Sequence, residues 1–171
     1  MTALTPGTSS PDYLSRAQWT LERPHVLVVC CSDGRLQEAI DEFLNGHLGI
    51  GDYDRFYAPG GPGVLAAGGP ELTQASQYRD DLAFLVRVHQ VQELLLIFHG
   101  SGPEGPDGST CAYYGRILPG ASREAIQARQ ARDLAAVQDF LTEQKLDVKI
   151  KAFRAEVQTN RHIHMVPLET T

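Results

Sequence analysis

The chain has 171 residues, of which 42% are hydrophobic and 21% are charged, and its formal net charge at pH 7 is −6. These values are typical of a single globular domain with a buried core, and the acidic balance argues against a nucleic-acid or acidic-membrane partner. Because no apolar run approaches the roughly 20 residues that span a bilayer, and the N-terminus lacks a secretory signal, we expect a cytoplasmic protein.

The N-terminal region differs in composition from the rest of the chain. Residues 1–11 have the composition of a flexible lead, and residues 12–23 are amphipathic and end at Pro24. We predict a surface helix there, lying as an arm on the body or on a second subunit. The expected organisation is therefore a lead and arm helix over residues 1–24 and a single α/β domain over residues 25–171.

From residue 25 onwards, strand and helix patterns alternate. Strands are predicted over 25–31, 54–60, 93–98 and 147–157, and helices over 35–46, 72–90 and 122–146. Ser122 is the expected N-cap of the last helix, and the alternation of Lys149 and Lys151 with apolar residues suits an edge strand. Alternation of this kind implies βαβ units, so we predict a three-layer α/β fold whose mainly parallel sheet is flanked by helices.

A glycine-rich segment over residues 60–70 joins the second strand to the second helix. It lacks the Gly-Lys-Ser/Thr ending of a phosphate-binding loop and does not satisfy Gly-x-Gly-x-x-Gly in the required strand–helix context. We interpret it as a connection with close backbone packing.

The three cysteines of the chain are Cys30, Cys31 and Cys111. Three cysteines cannot all pair, and adjacent cysteines rarely pair with each other, so reduced thiols or a metal fit better than a disulfide framework. Cys31 ends the first predicted strand and His99 ends the third. Because ligands gather beyond the carboxyl ends of strands in open α/β sheets, the two should meet at one rim.

Cys111 follows His99 after a loop over residues 101–110 that is rich in glycine and proline, so it can return to the same rim. The long separation costs only about 1.5 kcal/mol more in loop-closure entropy than a two-residue gap, against zinc binding of about 10 kcal/mol. Two cysteines and one histidine give three protein ligands and an open fourth position, the arrangement of catalytic zinc.

These motifs resemble those of the β-class carbonic anhydrases. The run Cys31-Ser32-Asp33-Gly34-Arg35 matches the Cys-x-Asp-x-Arg signature of that family, and residues 82–100 resemble its helix and strand ending in the zinc-binding histidine. The order of elements over residues 25–157 also fits. The family has His-x-x-Cys, however, whereas residues 100–110 separate His99 from Cys111 here.

The resemblance implies a role for each candidate residue. Cys31, His99 and Cys111 would hold Zn²⁺, which would lower the pKa of bound water from 15.7 towards about 7 and give a hydroxide that attacks CO2. Asp33 would accept a hydrogen bond from that water, and Arg35 would pair with Asp33 and keep it off the metal. The resemblance also implies a homodimer or a higher homo-oligomer with a small-molecule substrate.

Plainer interpretations of the same residues stay open. Asp33 suits the N-cap of the following helix, a role that is compatible with catalysis, and Arg35 suits a solvated helix surface. His99 suits a histidine at the rim of the sheet with its hydrogen bonds satisfied by protein groups, and Cys111 suits a small buried hydrophobic residue. Cys30 is expected in the core, because neighbouring strand residues point to opposite faces.

Two further features carry weaker hypotheses. His162 and His164 could share a face of a short final strand and form an auxiliary metal site. Tyr113 and Tyr114 follow Cys111 and could line the pocket.

Three functions are compatible with these sequence features. The first is zinc-dependent hydration of CO2 to bicarbonate, or zinc-dependent hydrolysis of a related small molecule such as COS. The second is a non-catalytic homologue that keeps a metal or anion site for binding or sensing, which the altered His–Cys spacing motivates. The third is a nucleotide-binding α/β domain in which the cysteines occur by chance.

Overall fold

The structure is a computed structural model that describes residues 12–66 and 72–170. Five strands form one sheet in the order β2-β1-β3-β4-β5. They are β1 (Val26–Cys31), β2 (Asp54–Ala58), β3 (Glu93–Ser101), β4 (Lys149–Val157) and β5 (Ile163–Leu168). The pairs β1–β2, β1–β3 and β3–β4 are parallel, and only β5 runs antiparallel to its neighbour. The predicted α/β class with a mainly parallel sheet is confirmed.

The helices are α1 (Gln37–Glu42), α2 (Leu72–Val88), α3 (Ala112–Ile117) and α4 (Arg123–Glu143), with 3₁₀ turns at Gly34–Leu36 and Gly61–Leu65 and a π-helical turn at Phe43–His47. The predicted helix over 35–46 is thus three short pieces of different winding. Ser122 accepts a hydrogen bond from the Ala125 amide at 3.2 Å, which is the predicted N-cap of α4. Helix α3 was not predicted, because six residues give too little periodicity to recognise.

Helices cover both faces of the sheet. The Phe43 ring packs edge-on against Phe153 of β4 at 5.0 Å between ring centroids, and Gln127 of α4 donates to Glu156 of the same strand at 3.2 Å. Residues 153 and 156 are an odd number apart, so they point to opposite faces of the sheet. The segment after α1 and helix α4 therefore lie on opposite sides, which confirms the three layers.

The core lies around β1 and β3, the two central strands. Each carries a continuous run of buried residues, Leu27–Cys31 in β1 and Leu94–Gly100 in β3. A strand that is buried on both faces has no polar alternation, which is why both strands appear in the sequence as unbroken apolar runs.

The prediction that β4 lies at an edge is wrong, because β5 pairs with it. β5 covers only the stretch from Ala152 to Val157. Lys149 and Lys151 precede that stretch, so the polar alternation marks only the part of β4 that β5 leaves unpaired. Lys151 there forms an ion pair with Glu93 of β3 at 2.6 Å.

The predicted arm helix also needs correction, because residues 12–24 form no helix. The apolar side chains of Leu14, Trp19 and Leu21 are each at least 85% exposed. A short helix is marginal in water unless its apolar face packs against another part of the protein. Within the described residues, no segment covers the apolar side chains of residues 12–24. The lead over residues 1–11 lies outside the described residues, and the division of the chain at residue 24 stays a prediction.

Helix α4 is tied to α3 by a buried polar network. The Tyr114 hydroxyl donates to the Asp133 carboxylate at 2.7 Å, and the Arg129 guanidinium donates to the other oxygen of Asp133 at 2.7 Å. Tyr114 is fully buried and Asp133 nearly so. The two hydrogen bonds satisfy a carboxylate that would otherwise be costly to bury.

We expect Gly61→Ala to destabilise the protein by about 3 kcal/mol, because two penalties add. Gly61 has a φ of +57°, and a Cβ there would lie 2.8 Å from the backbone nitrogen of Cys31. Gly49 is a matched control, since its φ is +70° but nothing lies within 4 Å of its added Cβ. Gly49→Ala should cost only about 1 kcal/mol. Urea denaturation of both variants measures the difference, and equal losses would contradict a close approach at Gly61.

Candidate metal centre

Cys31 is held at the end of β1 by the turn that follows β2. The Ser32 amide donates to the Ala58 carbonyl at 3.1 Å, which continues the pairing one residue past the strand. The Gly60 amide donates to the Cys31 sulfur at 3.4 Å. Only glycines let the turn come this close, since a Cβ at Gly61 would meet the Cys31 backbone.

His99 lies inside β3 rather than at its end, because that strand continues to Ser101. The last pair between β1 and β3 is Cys30 with Ile97, so His99 lies two residues beyond the part of β3 that pairs with β1. The ring is buried with 3% of the residue exposed, and its Nε2 atom has no hydrogen-bond partner within the described residues. The Gln130 side chain donates to the His99 carbonyl at 3.0 Å and anchors the strand to α4.

Cys111 returns to the same place at the N-cap of α3 and is 1% exposed. The preceding loop folds on itself, since the Gly105 amide donates to the Gly102 carbonyl at 3.1 Å and the Ser109 amide to the Pro106 carbonyl at 3.2 Å. The glycine- and proline-rich composition thus produces successive tight turns.

The three side chains form one cluster, with their candidate ligand atoms within 4.8 Å of one another. The hydrogen bond from Cys111 lowers the pKa of the Cys31 thiol well below its ordinary value, and contacts with His99 and the Gly60 amide act in the same direction against burial. The pKa of Cys111 is raised by that same hydrogen bond and by burial. These shifts favour the thiolate form at Cys31 over that at Cys111.

The cluster has the chemistry of a zinc site. Thiolate sulfur and imidazole nitrogen are the donors that zinc prefers. A buried imidazole nitrogen without a partner is uncommon in a folded protein, and a metal ion would satisfy it. The residues present therefore fit a zinc ion, which Cys31, His99 and Cys111 would hold.

Asp33 and Arg35 lie beside this cluster and bind each other. The Arg35 guanidinium donates to both carboxylate oxygens of Asp33, at 2.9 and 2.5 Å. This hydrogen bonding lowers the pKa of Asp33 to about 2, so its carboxylate is ionised at neutral pH. Asp33 also accepts from the Arg35 amide at 3.1 Å, so the N-cap interpretation holds as well.

The structure thus brings together all five residues that the sequence singled out. Asp33, Arg35 and His99 line one cavity, while Cys31 and Cys111 complete the cluster behind it. Cys30 is fully buried in the core, as predicted. The sequence predicted close packing of the glycine-rich segment that begins at Gly60, but not the hydrogen bond from its amide to Cys31. The contact of Gln130 with the His99 carbonyl was also not predicted, because no motif marks that residue.

The weaker hypotheses fare differently. Among the described residues, Cys31, His99 and Cys111 form the only group of three or more candidate metal ligands, so His162 and His164 belong to no such group. Tyr113 and Tyr114 are buried against the glycine turn rather than lining the cavity, since an added Cβ at Gly60 would lie 2.5 Å from the Tyr113 ring. The close packing expected of the glycine-rich connection is found at its first half, and residues 67–71 lie outside the described residues.

Comparisons with known proteins found similarity only among solved structures. The β-carbonic anhydrase isoform I of Trichomonas vaginalis matches with 13% identity and a TM-score of 0.41, over 91% of this chain and 88% of its own. The β-carbonic anhydrase CcaA matches with 14% identity and a TM-score of 0.45, over 87% and 79% of the two chains. The β-carbonic anhydrase CafD of Aspergillus fumigatus matches with 13% identity and a TM-score of 0.44, over 90% and 92%.

No protein-family model and no curated protein matches the sequence. Within the described residues, no helix is both long enough and apolar enough to cross a membrane.

We expect Cys111→Ala to lower the zinc content of the purified protein from about one ion per chain to a small fraction of that. Two remaining donors hold zinc far more weakly than three. Cys30→Ala is the matched control, because it removes an equally buried thiol from a residue outside the cluster. Inductively coupled plasma mass spectrometry measures the metal, and equal zinc in the two variants would refute the ligand set.

A chelator should lower the melting temperature of the wild-type protein, because an ion bound only to the native state stabilises it by mass action. We expect the Cys30→Ala variant to respond in the same way and the Cys111→Ala variant to show no change. Differential scanning calorimetry with and without EDTA tests this. A wild-type melting temperature that is insensitive to EDTA but rises with added nucleotide would favour a nucleotide-binding domain instead.

Proposed function

We propose that this protein is a zinc-dependent lyase that hydrates CO2 to bicarbonate, with Cys31, His99 and Cys111 as the metal ligands. The observation that carries the proposal is the convergence of these three donors within 4.8 Å, next to a carboxylate that an arginine holds ionised. A zinc ion held by two cysteines and a histidine supplies a Lewis acid that makes water nucleophilic at neutral pH.

The proposed task of Asp33 is to orient the attacking water. Its carboxylate lines the same cavity as His99, and with a pKa of about 2 it accepts hydrogen bonds and does not donate them at neutral pH. A water that donates an O–H to this carboxylate has its oxygen lone pairs directed away from the carboxylate. Such positioning of a nucleophile by a hydrogen-bond acceptor is an ordinary catalytic device.

The proposed task of Arg35 is to fix the direction of Asp33. Both carboxylate oxygens accept from the guanidinium, and paired hydrogen bonds of this kind restrict rotation of the carboxylate. Arg35 itself is 72% exposed and also donates to the Gly108 carbonyl at 3.4 Å. The pair is thereby tied to the 102–110 loop, and Asp33 is kept from turning towards the thiols.

Burial of the cluster supports the same function. Cys31, His99 and Cys111 are each less than 10% exposed, although His99 reaches the cavity wall. A site with little water strengthens electrostatic interactions and limits competing reactions. An apolar gas such as CO2 can enter such a site without losing strong hydration.

A second candidate is a homologue that binds the metal without turnover. The observation that favours it is the 102–110 loop, whose residues Pro106–Ser109 form one wall of the cavity beside His99. The same assay separates the two candidates, because zinc-loaded protein with no CO2 turnover would support binding alone.

We expect Asp33→Asn to lower kcat for CO2 hydration by about 100-fold or more at unchanged zinc content, since the amide loses the charged acceptor and its arginine partner. Stopped-flow measurement with a pH indicator gives the rate. Asp41→Asn is the matched control, because Asp41 pairs with Arg55 at 3.1 Å but does not line the cavity. It should leave the rate unchanged. Wild-type zinc-loaded protein that is no faster than buffer would reject the hydratase.

A further inference from the structure

The cavity beside the metal centre is larger than a three-atom substrate requires. Its volume is about 380 Å³, whereas a water molecule takes up about 30 Å³ in the liquid. Sites for organic ligands are commonly about 300–1,000 Å³. The cavity therefore has the size of a site for an organic molecule.

Arg161 brings a positive charge without a partner to this cavity. It lines the cavity from the turn between β4 and β5, and its guanidinium has no ion pair or hydrogen bond to any residue that the structure describes. Arg35, in contrast, is already bound to Asp33. Arg161 is thus the arginine of this cavity that is available to an anion, and a guanidinium can bind both oxygens of a carboxylate.

The backbone at Arg161 is one that glycine favours. Its φ is +67°, its amide donates to the Gln158 carbonyl at 2.9 Å, and the Gln158 amide donates to the His162 carbonyl at 2.8 Å. The hairpin turn therefore needs a left-handed residue at this position, and a non-glycine residue there costs stability.

The wall next to Arg161 is apolar. Val157 of β4 and Ile163 of β5 are paired across the hairpin, and both line the cavity. Leu36, which is 3% exposed, faces them from the first 3₁₀ turn. A ligand whose charged group binds Arg161 would thus place its remaining atoms against these hydrocarbon side chains.

The acidic residues of the cavity limit the charge of the ligand. Asp107 on the loop over residues 102–110 lines the cavity and has no ion pair with a described residue. Its carboxylate, together with that of Asp33, would repel a second negative charge on the ligand. A ligand with one negative charge at one end and an apolar chain fits this distribution better than a dianion does.

We propose that this cavity binds a short-chain organic monocarboxylate, whose carboxylate pairs with Arg161 and whose hydrocarbon chain packs on Val157 and Ile163. The inference goes beyond the proposed hydration of CO2 and does not depend on it, because binding can be measured in protein that turns over no CO2.

Calorimetric titration of the full chain with acetate, butyrate and hexanoate tests the proposal. Affinity should rise about fourfold for each methylene that becomes buried. Arg161→Gln should weaken butyrate binding about tenfold or more, since a charge-assisted pair is lost, while the zinc content stays unchanged. Arg161→Lys should retain part of the affinity, because the charge remains without the paired donors.

Three further variants sharpen the test. Arg132→Gln removes the same charge from an exposed position on α4 that does not line the cavity, so it should bind butyrate as the wild type does. Arg161→Gly should lose butyrate binding and raise the melting temperature, because glycine suits the left-handed backbone. A Cys111→Ala protein with little zinc should still bind butyrate.

Several results would overturn the proposal. One is equal affinity for acetate and hexanoate, and another is unchanged butyrate binding by Arg161→Gln. Tighter binding of bicarbonate or of γ-aminobutyrate than of butyrate would assign the cavity to an inorganic anion or to a zwitterion. Binding that disappears with the zinc and not with Arg161 would place the carboxylate on the metal.

Discussion

The close approach of two thiols and one imidazole is the contact on which this site depends. Their candidate ligand atoms lie within 4.8 Å of one another, although they come from three separate segments of the chain. The buried hydrogen bond between Cys31 and Cys111 lowers the pKa of the first thiol and raises that of the second, so it favours a thiolate at Cys31. A thiolate in a site with little water needs a positive partner, and this need is what makes a divalent cation a natural occupant.

Three structural features bring the three donors together at the metal centre. The glycine turn after β2 presents an amide to the Cys31 sulfur. Strand β3 extends beyond the end of β1, so that His99 reaches across to Cys31. The loop over 102–110 then folds through tight turns and places Cys111 at the start of α3.

Helix α4 holds two of these features, strand β3 and helix α3, in position. It reaches β3 through the hydrogen bond from Gln130 to the His99 carbonyl, and it reaches α3 through the buried bond between Tyr114 and Asp133. Since interiors are closely packed, a shift of α4 would be transmitted to both His99 and Cys111. The buried hydrogen bonds of Gln130 and Asp133 therefore help to fix the positions of two of the three candidate ligands.

The fold class and the candidate ligands could be predicted from the sequence, for physical reasons. Buried parallel strands need unbroken apolar runs, and such runs made β1 and β3 recognisable. Residues at the carboxyl ends of parallel strands lie at the same edge of the sheet, which predicted that Cys31 and His99 lie close together. The Asp33–Arg35 pair was expected from the resemblance of this run to the Cys-x-Asp-x-Arg signature, and the structure shows that pairing.

Tertiary contacts alone decided the other features. The position of β4 in the sheet depends on β5, which pairs with it over Ala152–Val157. No local sequence pattern predicts this pairing. Residues 12–24 form no helix, because amphipathicity gives a helix only where its apolar face has something to pack against. The juxtaposition of Arg161 with Val157 and Ile163 beside His99 also depends on how the hairpin folds back over the sheet. Sequence patterns report local periodicity and burial, whereas these contacts join segments that are distant in the chain.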